Sequence, residues 1–259
     1  MGDYAIANIL WPERNRLLAA LPEYDRRKIF PELELVPLPT GKVLYDAGDA
    51  LKHAYFPVSS MVSTVYVMEN GASTEVAATG RDGMVGLPLF MGGRTAQNRA
   101  VATLGGYAYR LAEDRIRKDS VQSSRLQEIL LRYAQALLTQ MAQIAVCNRH
   151  HSLEQQLCRW LLMSLERFPS SIIPITHETI SNMLGVRREG VTVAAGRLQS
   201  LGAISYKRGR IVVLDTQLLQ AQACECHRTI RQEFNRLLPL PEEQAVVLHD
   251  TGVTLKQYA

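Results

Sequence analysis

The sequence predicts an α+β fold in which a β-rich N-terminal half is followed by a long helix and a small, basic C-terminal domain. Three observations support this prediction. Short strand-like runs separated by glycine turns fill residues 36–111, an apolar series with heptad spacing begins at Leu126, and a helix–glycine–helix pattern with a basic hairpin begins at Thr176. The chain has 259 residues, of which 47% are hydrophobic and 21% are charged, so it is long enough for two globular domains.

The composition excludes several classes of protein. No apolar run approaches the roughly 20 residues that a transmembrane helix needs, and the first residues lack the basic and apolar regions of a signal peptide. Ile6 stands where a myristoylation signal has Ser or Thr. The cysteines, Cys147, Cys158, Cys224 and Cys226, all lie in the second half and do not make a disulfide framework for a chain of this size. We therefore expect a cytoplasmic protein with no membrane partner.

The N-terminal half combines short helices with a series of short strands. Residues 8–35 predict short helices interrupted by Pro12, Pro22 and Pro31. The strand-like runs that follow are KVLYDAG, AYFPVSS, VSTVYVME, STEVAATG, NRAVATL and YAYRLA. Asn70-Gly71, between the third and the fourth run, is a specific hairpin signal because both residues tolerate positive φ. Strands of this length with glycine turns predict a β-sandwich or barrel.

A helical series follows the strands. Its apolar positions alternate in steps of four and three, at Leu126, Leu130, Tyr133, Leu137, Gln140, Ile144 and Cys147. This spacing is typical of a heptad seam, and we predict that the seam is the interface of a homodimer. The alternative is that this face packs on its own domain. In the dimer interpretation a second apolar face packs on the N-terminal domain, and it consists of Leu131, Leu138, Met141 and Val146.

The segment THETISNMLGVRREGVTVAAGRLQSLG predicts two short helices joined at a glycine. Thr176 is the N-cap candidate of the first helix, and Gly185 ends it because glycine accepts a left-handed backbone without strain. The second helix, predicted from Arg187 to Leu201, is followed by AISYKR, Gly209 and RIVVLD, two β-prone runs around a basic turn. Helix, turn, helix and hairpin together form the winged helix-turn-helix arrangement.

Positive charge is concentrated in this motif. Residues 176–214 carry six basic and two acidic residues, and their net charge of +4 equals that of the whole chain. Double-stranded DNA is the expected partner, because the second helix fits a major groove and a polyanion is attracted to this segment. The residues expected to contact DNA are Arg187, Arg188, Glu189, Thr192, Val193 and Arg197 on the second helix, and Lys207, Arg208 and Arg210 on the hairpin. Of the helix residues, Arg188, Glu189, Thr192 and Val193 would read base edges, and the hairpin residues would bind phosphates.

The order of these parts resembles the Crp/Fnr family of bacterial transcription regulators. The resemblance covers about residues 13–235 and is most specific in ITHETISNMLGVRREGVTVAAGRLQSLGAISYKRGRIVVL. It implies a cyclic-nucleotide-binding-type β-roll (jelly-roll) sensor domain over residues 1–112, a dimerisation helix over 113–149, a winged helix-turn-helix domain over 150–215, and a C-terminal helix and tail over 216–259. It also implies a homodimer on a palindromic DNA site, with RNA polymerase as a further partner. Arg188 and Glu189 fall where family members carry base-reading residues, whereas Val193 falls where many carry arginine.

The β-roll departs from its cyclic-AMP-binding relatives. Those relatives carry a Gly-Glu pair for the ribose and an Arg-Ser pair for the phosphate, whereas here Leu87 follows Gly86 and Gln97-Asn98 occupies the Arg-Ser region. Leucine cannot accept a hydrogen bond from a ribose hydroxyl, and an uncharged pair leaves a buried phosphate unpaired. We therefore predict no response to cyclic AMP and name no cofactor, which leaves an unknown small-molecule effector. The alternative is a cyclic-nucleotide-activated regulator whose rearranged pocket takes its charge from Arg94 or Arg99. The candidate pocket residues are thus Gly86, Leu87, Arg94, Gln97, Asn98 and Arg99.

A cysteine-rich segment, Cys224-Glu225-Cys226-His227, follows the hairpin. We predict one continuous helix here, on which Cys224 and Cys226 point about 200° apart and cannot bind a metal together. No metal site is therefore predicted, and His53, His150 and His151 are expected to be ordinary turn or surface residues. The sequence contains no G-x-S-x-G, H-E-x-x-H or Walker A motif, so we predict no catalytic residues. An enzyme, or an interaction module that binds no DNA, remains an alternative from another class.

Overall fold

The structure, a computed structural model, describes residues 10–239, apart from the side chains of residues 120 and 121. Its N-terminal domain begins with helices α1 (Arg16–Ala19) and α2 (Glu23–Ile29) and two short 3-10 turns, Pro12–Arg14 and Phe30–Glu32. The strands that follow are β1 (Glu34–Leu38), β2 (Val43–Tyr45), β3 (His53–Pro57), β4 (Met61–Val67), β5 (Ser73–Thr79), β6 (Arg99–Leu104) and β7 (Gly106–Ala112). The C-terminal part of the tail predicted to be irregular, from residue 240, lies outside the described residues.

These strands form two antiparallel sheets, with strand orders β1-β7-β3 and β2-β6-β4-β5. All six predicted runs are strands, and the hairpin at Asn70-Gly71 is confirmed, since β4 pairs with β5 and Gly71 has a φ of 83°. The sequence interpretation placed the start of β1 among the short helices. Pro37 is tolerated in β1 because this strand lies at the edge of its sheet.

The C-terminal half contains seven helices and a small sheet among its described residues. The helices are α3 (Glu113–Gln122), α4 (Ser124–His150), α5 (Leu153–Arg167), α6 (His177–Leu184), α7 (Arg188–Ser200), α8 (Thr216–Gln222) and α9 (Glu225–Leu237). Strands β8 (Ile172–Ile173), β9 (Ile204–Lys207) and β10 (Arg210–Val213) form an antiparallel sheet in the order β8-β10-β9. None of the helices in the described part of the chain is long and apolar enough to cross a membrane.

Two helices that were predicted to be continuous are broken. The predicted helix over 113–149 divides at Ser123, whose backbone is extended (φ −111°, ψ 108°) and whose hydroxyl oxygen accepts a hydrogen bond from the Leu126 amide, so it caps α4. The final helix divides between α8 and α9, where Cys224 is extended (φ −74°, ψ 166°). The argument that Cys224 and Cys226 point apart on one helix is therefore wrong.

The predicted dimer seam faces the interior of the chain itself. Leu126, Leu130, Tyr133, Gln140 and Ile144 are at most 4% exposed in the single chain, and Leu137 is half-buried against the same core. The assignment of these six residues to a dimer interface is wrong, because five of them are already buried in the single chain, and Leu126, Leu130 and Tyr133 belong to a core that also contains residues of the N-terminal domain and α9. The second apolar face is the exposed one: Leu131 is 56% exposed, Leu138 64% and Val146 47%. Met141, the fourth residue of this face, is partly buried. The expectation that this face packs on the N-terminal domain is wrong for the three exposed residues, because the described part of the chain leaves about half or more of the surface of each uncovered.

The polar seam positions explain why this face turns inward. The Gln140 side chain donates a hydrogen bond to the Ala78 carbonyl (3.1 Å) and accepts one from Arg167, which also pairs with Asp82 of the N-terminal domain. The Tyr133 hydroxyl donates to the Met84 carbonyl at 2.9 Å. These bonds satisfy buried polar groups that an apolar dimer seam would leave unpaired.

The GRDG turn that follows β5, residues 80–83, lets α4 and α5 pack closely on the N-terminal domain because it contains two glycines. A Cβ atom at Gly83 would overlap the Tyr133 ring, and one at Gly80 would lie 2.5 Å from the Arg167 Cβ. Any other residue at these two positions would push α4 and α5 away from the N-terminal domain. The GRDG turn, which the sequence marks only as a loop signal, is therefore where the two halves of the chain meet.

Candidate nucleic-acid interface

The helix-turn-helix is built by local signals in the sequence. The Thr176 hydroxyl oxygen accepts a hydrogen bond from the Thr179 amide (3.1 Å), which caps α6 as predicted. Gly185 ends α6 with a left-handed backbone (φ 66°), and α7 begins at Arg188 after a three-residue turn. Gly190 brings α7 against α5, since a Cβ atom there would lie 2.8 Å from Leu153.

Helix α7 buries one face and exposes the other. The buried residues are Val191, Ala194, Ala195 and Leu198, whereas Leu201, which was predicted to join this stripe, is 49% exposed. The residues predicted to contact DNA lie on the opposite, exposed face or at its start: Arg187, Arg188, Glu189, Thr192, Val193 and Arg197. Arg197 lies 3.6 Å from Glu154 on α5, so part of its charge is balanced within the domain.

The hairpin that follows α7 carries three exposed basic residues. Strands β9 and β10 pair across a two-residue turn, in which Arg208 (φ 50°) and Gly209 (φ 74°) both have positive φ. This is the backbone of a tight primed turn, which fits the twist of the paired strands. Lys207, Arg208 and Arg210 lie at this end of the hairpin, as the sequence predicts for a wing.

One residue that the sequence interpretation missed connects the two parts. The His177 ring stacks on Tyr206 of β9 with a centroid distance of 3.9 Å, and its Nδ1 lies 3.1 Å from the Thr192 hydroxyl of α7. His177 thus holds the hairpin and the exposed face of α7 in a fixed relation. The pKa of His177 is lowered, first because the ring is partly buried and second because Arg188 is nearby. A His at the first position of a helix gives no sequence signal for this role.

The hydroxyl of Thr192, a residue expected to contact DNA, is already hydrogen-bonded within the domain. This hydroxyl contacts His177 and also donates to the Arg188 carbonyl at 3.2 Å. The methyl group of Thr192 and the exposed Val193 are therefore the groups that α7 offers for apolar contact, while Arg188 and Glu189 offer polar contact.

The candidate effector residues do not converge on one pocket. Leu87 is buried in the hydrophobic core, whereas the Arg94 side chain is 69% exposed and lies 3.8 Å from Glu113. The Arg99 side chain donates two hydrogen bonds to the Asp46 carboxylate, each at 2.9 Å. The remaining candidates are Gly86, which adopts φ 94°, Gln97, which is exposed, and Asn98, which is half-buried.

Tyr45 of β2 interacts with the Gly86 backbone and packs, partly buried, against the core of the N-terminal domain. Burial raises the pKa of Tyr45 to about 12, while an interaction with the Gly86 backbone opposes the shift. A cleft of about 450 Å³ opens next to this residue, but only residues 44–55 line it. None of the six candidate residues faces this cleft.

A helix-turn-helix followed by a basic two-stranded wing defines a winged helix-turn-helix DNA-binding protein. Residues 155–222 match the family model of the Crp-like helix-turn-helix domain. The chain therefore contains a Crp-like DNA-binding domain, and with its β-roll it has the architecture of a Crp/Fnr-type transcription regulator, as the sequence resemblance predicts.

Comparison with known proteins supports the same fold over most of the chain. The chain is 22% identical over 217 residues to the global nitrogen regulator of Synechococcus elongatus, in a match that covers 80% of this chain and 97% of that protein. The match to the structure of FixK2 from Bradyrhizobium japonicum covers 74% of this chain and 98% of that one, with 15% identity and a TM-score of 0.64. The match to a transcriptional regulator of the Crp/Fnr family from Thermus thermophilus covers 73% and 98%, with 22% identity and a TM-score of 0.59.

Proposed function

We propose that the protein is a homodimeric, sequence-specific regulator that inserts α7 into the major groove of double-stranded DNA. The observation that carries this proposal is that α7 exposes Arg188, Glu189 and Val193 beside a wing that carries three basic side chains. An α-helix fits the major groove, and residues near its N-terminus reach base edges. The basic wing suits the phosphates that flank the groove.

The dimer contact that we propose lies on the exposed face of α4. This outer face consists of Leu131, Leu138, Ala145 and Val146, the first three of which repeat at intervals of seven. A repeat of seven on a 27-residue helix keeps these side chains on one side of it, as one of the two apolar positions of a coiled-coil seam does. A two-fold axis along α4 would place two copies of α7 on successive turns of DNA, which requires a palindromic site with half-sites about 34 Å apart.

We propose further that cyclic AMP is not the effector. Leu87 is buried next to Gly86 and offers no acceptor for a ribose hydroxyl, and Arg99 is paired with Asp46, so its charge is already balanced within the domain. Isothermal calorimetry with cyclic AMP and cyclic GMP should show no binding at micromolar concentrations, and neither nucleotide should change the affinity for DNA. Micromolar binding would favour the alternative of a cyclic-nucleotide-activated regulator.

The function is tested by comparing two arginines with different proposed roles. Arg188→Ala should weaken binding to a site selected from random DNA by roughly 1–3 kcal/mol per half-site, because a bidentate contact to one base is lost. The preference at one base pair per half-site should relax. Arg208→Ala should weaken binding to all sequences alike and reduce the salt dependence by about one charge per subunit, because only counterion release is affected.

The control is Arg27→Ala, which removes an arginine with a side chain 77% exposed on α2, far along the chain from the interface. It should leave both affinity and salt dependence unchanged. If Arg188→Ala lowers affinity for selected and scrambled DNA equally, Arg188 binds phosphate and specificity lies elsewhere on α7. If neither Arg188→Ala nor Arg208→Ala changes binding, the proposed interface is wrong.

A further inference from the structure

Three buried cysteines and one histidine meet where the long helix ends. Their ligand atoms, from Cys147, His151, Cys224 and Cys226, all lie within 4.8 Å of one another. The Cys147 and Cys224 sulfur atoms are 3.5 Å apart, and the Cys226 sulfur is 3.6 Å from the His151 Nδ1. This cluster plays no part in the proposed DNA interface.

The break in the final helix creates the cluster. Cys224 precedes the first turn of α9 in an extended conformation, so its side chain and that of Cys226 turn to the same side. Cys147 lies in the last turn of α4, and His151 is the extended C-cap residue directly after the helix, whose backbone N–H donates a hydrogen bond to the Cys147 carbonyl and so keeps the two residues adjacent. The two pairs come from segments that are 73 residues apart, and the fold of the intervening domain brings them together.

The distances fit a single metal ion. In a tetrahedral zinc site with Zn–S bonds of about 2.3 Å, neighbouring sulfur ligands lie about 3.8 Å apart, and a sulfur and a nitrogen ligand lie slightly closer. The two shortest spacings, 3.5 and 3.6 Å, are close to these values, and the widest pair of ligand atoms, which lie within 4.8 Å of one another, would draw closer together on the ion. An iron–sulfur cluster binds its cysteines through different iron atoms and would hold them further apart. A Cys₃His set is also one of the common structural zinc sets.

The surrounding charges suit the bound ion as well. Three thiolates and a neutral imidazole on Zn²⁺ carry a net charge of −1. Arg159, which is 1% exposed, donates a hydrogen bond from its Nε to the Cys147 sulfur at 3.3 Å and would neutralise this charge. The other ring nitrogen of His151 lies 3.4 Å from a Glu225 carboxylate oxygen. Such a carboxylate orients the ring of a zinc-binding histidine.

We propose that Cys147, His151, Cys224 and Cys226 bind one Zn²⁺ ion in a closed, structural site. The ion would fasten the start of α9 to the end of α4, and α9 packs back along α4 through Phe234 on Tyr133. Because the winged domain lies between these two helices in the chain, zinc would hold that domain at a fixed angle to α4.

The test uses the full-length protein without a histidine tag, purified anaerobically from zinc-supplemented cells. Elemental analysis should give about one zinc per chain. Replacement of zinc by Co²⁺ should produce the thiolate charge-transfer and intense d–d absorption of a tetrahedral site. Cys226→Ala should lose most of the metal and the Co²⁺ spectrum. The matched control is Cys158→Ala, which removes a buried cysteine outside the cluster and should keep both.

A third variant separates metal loss from misfolding. Cys226→His keeps four ligands and should retain zinc while the charge-transfer absorption decreases by about a third, since one of three thiolates is replaced. The proposal is overturned if the wild-type protein contains no zinc and titration with Co²⁺ gives no thiolate absorption. Retention of the full metal content by Cys226→Ala would also overturn it. So would a visible iron–sulfur spectrum, or a Cys147–Cys224 disulfide in the anaerobically purified protein.

Discussion

Leu138→Asp tests the dimer contact on α4. Leu138 is 64% exposed in the single chain, so the substitution removes little that stabilises the folded subunit. Surface substitutions of this kind usually change the free energy of unfolding by less than about 1 kcal/mol. Leu137→Asp would be a poor test of the same idea, because Leu137 is half-buried against the core of its own chain.

The expected loss of dimer stability follows from the exposed area. Full burial of a leucine side chain stabilises by about 1.5–3 kcal/mol, so covering the exposed 64% contributes roughly 1–2 kcal/mol per subunit. Two copies give roughly 2–4 kcal/mol, which corresponds to a rise in the dimer Kd of roughly 30- to 700-fold. This range assumes that the partner covers the exposed part of Leu138 completely, and repulsion and lost hydration of the two facing carboxylates add to the loss.

The assay is sedimentation velocity over a series of protein concentrations, with thermal unfolding to show that the variant is folded. Met91→Asp is the matched control, because Met91 is 67% exposed on a loop of the N-terminal domain. It should leave the dimer Kd unchanged. If Leu138→Asp leaves the dimer Kd within a few-fold of the wild-type value, the outer face of α4 is not the contact. A wild-type chain that is monomeric at micromolar concentration would refute the dimer itself.

Three further predictions concern the domain contacts. Gly185→Ala should lower the free energy of unfolding by about 1–2 kcal/mol in denaturant, because the φ of 66° is strained for other residues and the new Cβ would overlap Thr74. An unchanged free energy of unfolding would contradict the close contact between Gly185 and Thr74. Tyr133→Phe should lower the free energy of unfolding by about 1–2 kcal/mol, because the Met84 carbonyl loses its hydrogen bond. A Tm equal to that of the wild type would show that water replaces the hydroxyl. The lowered pKa of His177 means that the folded state favours the neutral ring. The contribution of His177 to stability is therefore present above the unfolded pKa of about 6.5, and it is lost as the pH falls through the lowered pKa of the folded state. Between pH 7.5 and pH 5.5 the wild type should therefore lose more unfolding free energy than His177→Gln, and equal losses would contradict the prediction.

The sequence by itself determined the parts of this protein that depend on neighbouring residues. Thr176 caps α6 and Gly185 ends it because capping and left-handed turns are decided within a few residues. The hairpin at Asn70-Gly71 and the wing turn at Arg208-Gly209 follow from the same local chemistry. The exposed face of α7 follows from its helical period, so the proposed DNA-contacting residues could be read from the sequence.

Only the tertiary structure decided what covers each apolar face. The heptad spacing shows that α4 has two apolar faces, but periodicity does not state which of them meets the N-terminal domain. The glycines of the GRDG turn and the buried bonds of Tyr133 and Gln140 decide that question, and these contacts join residues distant in sequence. The cysteine cluster was missed for a related reason. A helix pattern across Cys224 conceals the two-residue break, at Ala223 and Cys224, that turns the Cys224 side chain toward Cys147. Packing against α4 then places the two sulfur atoms together.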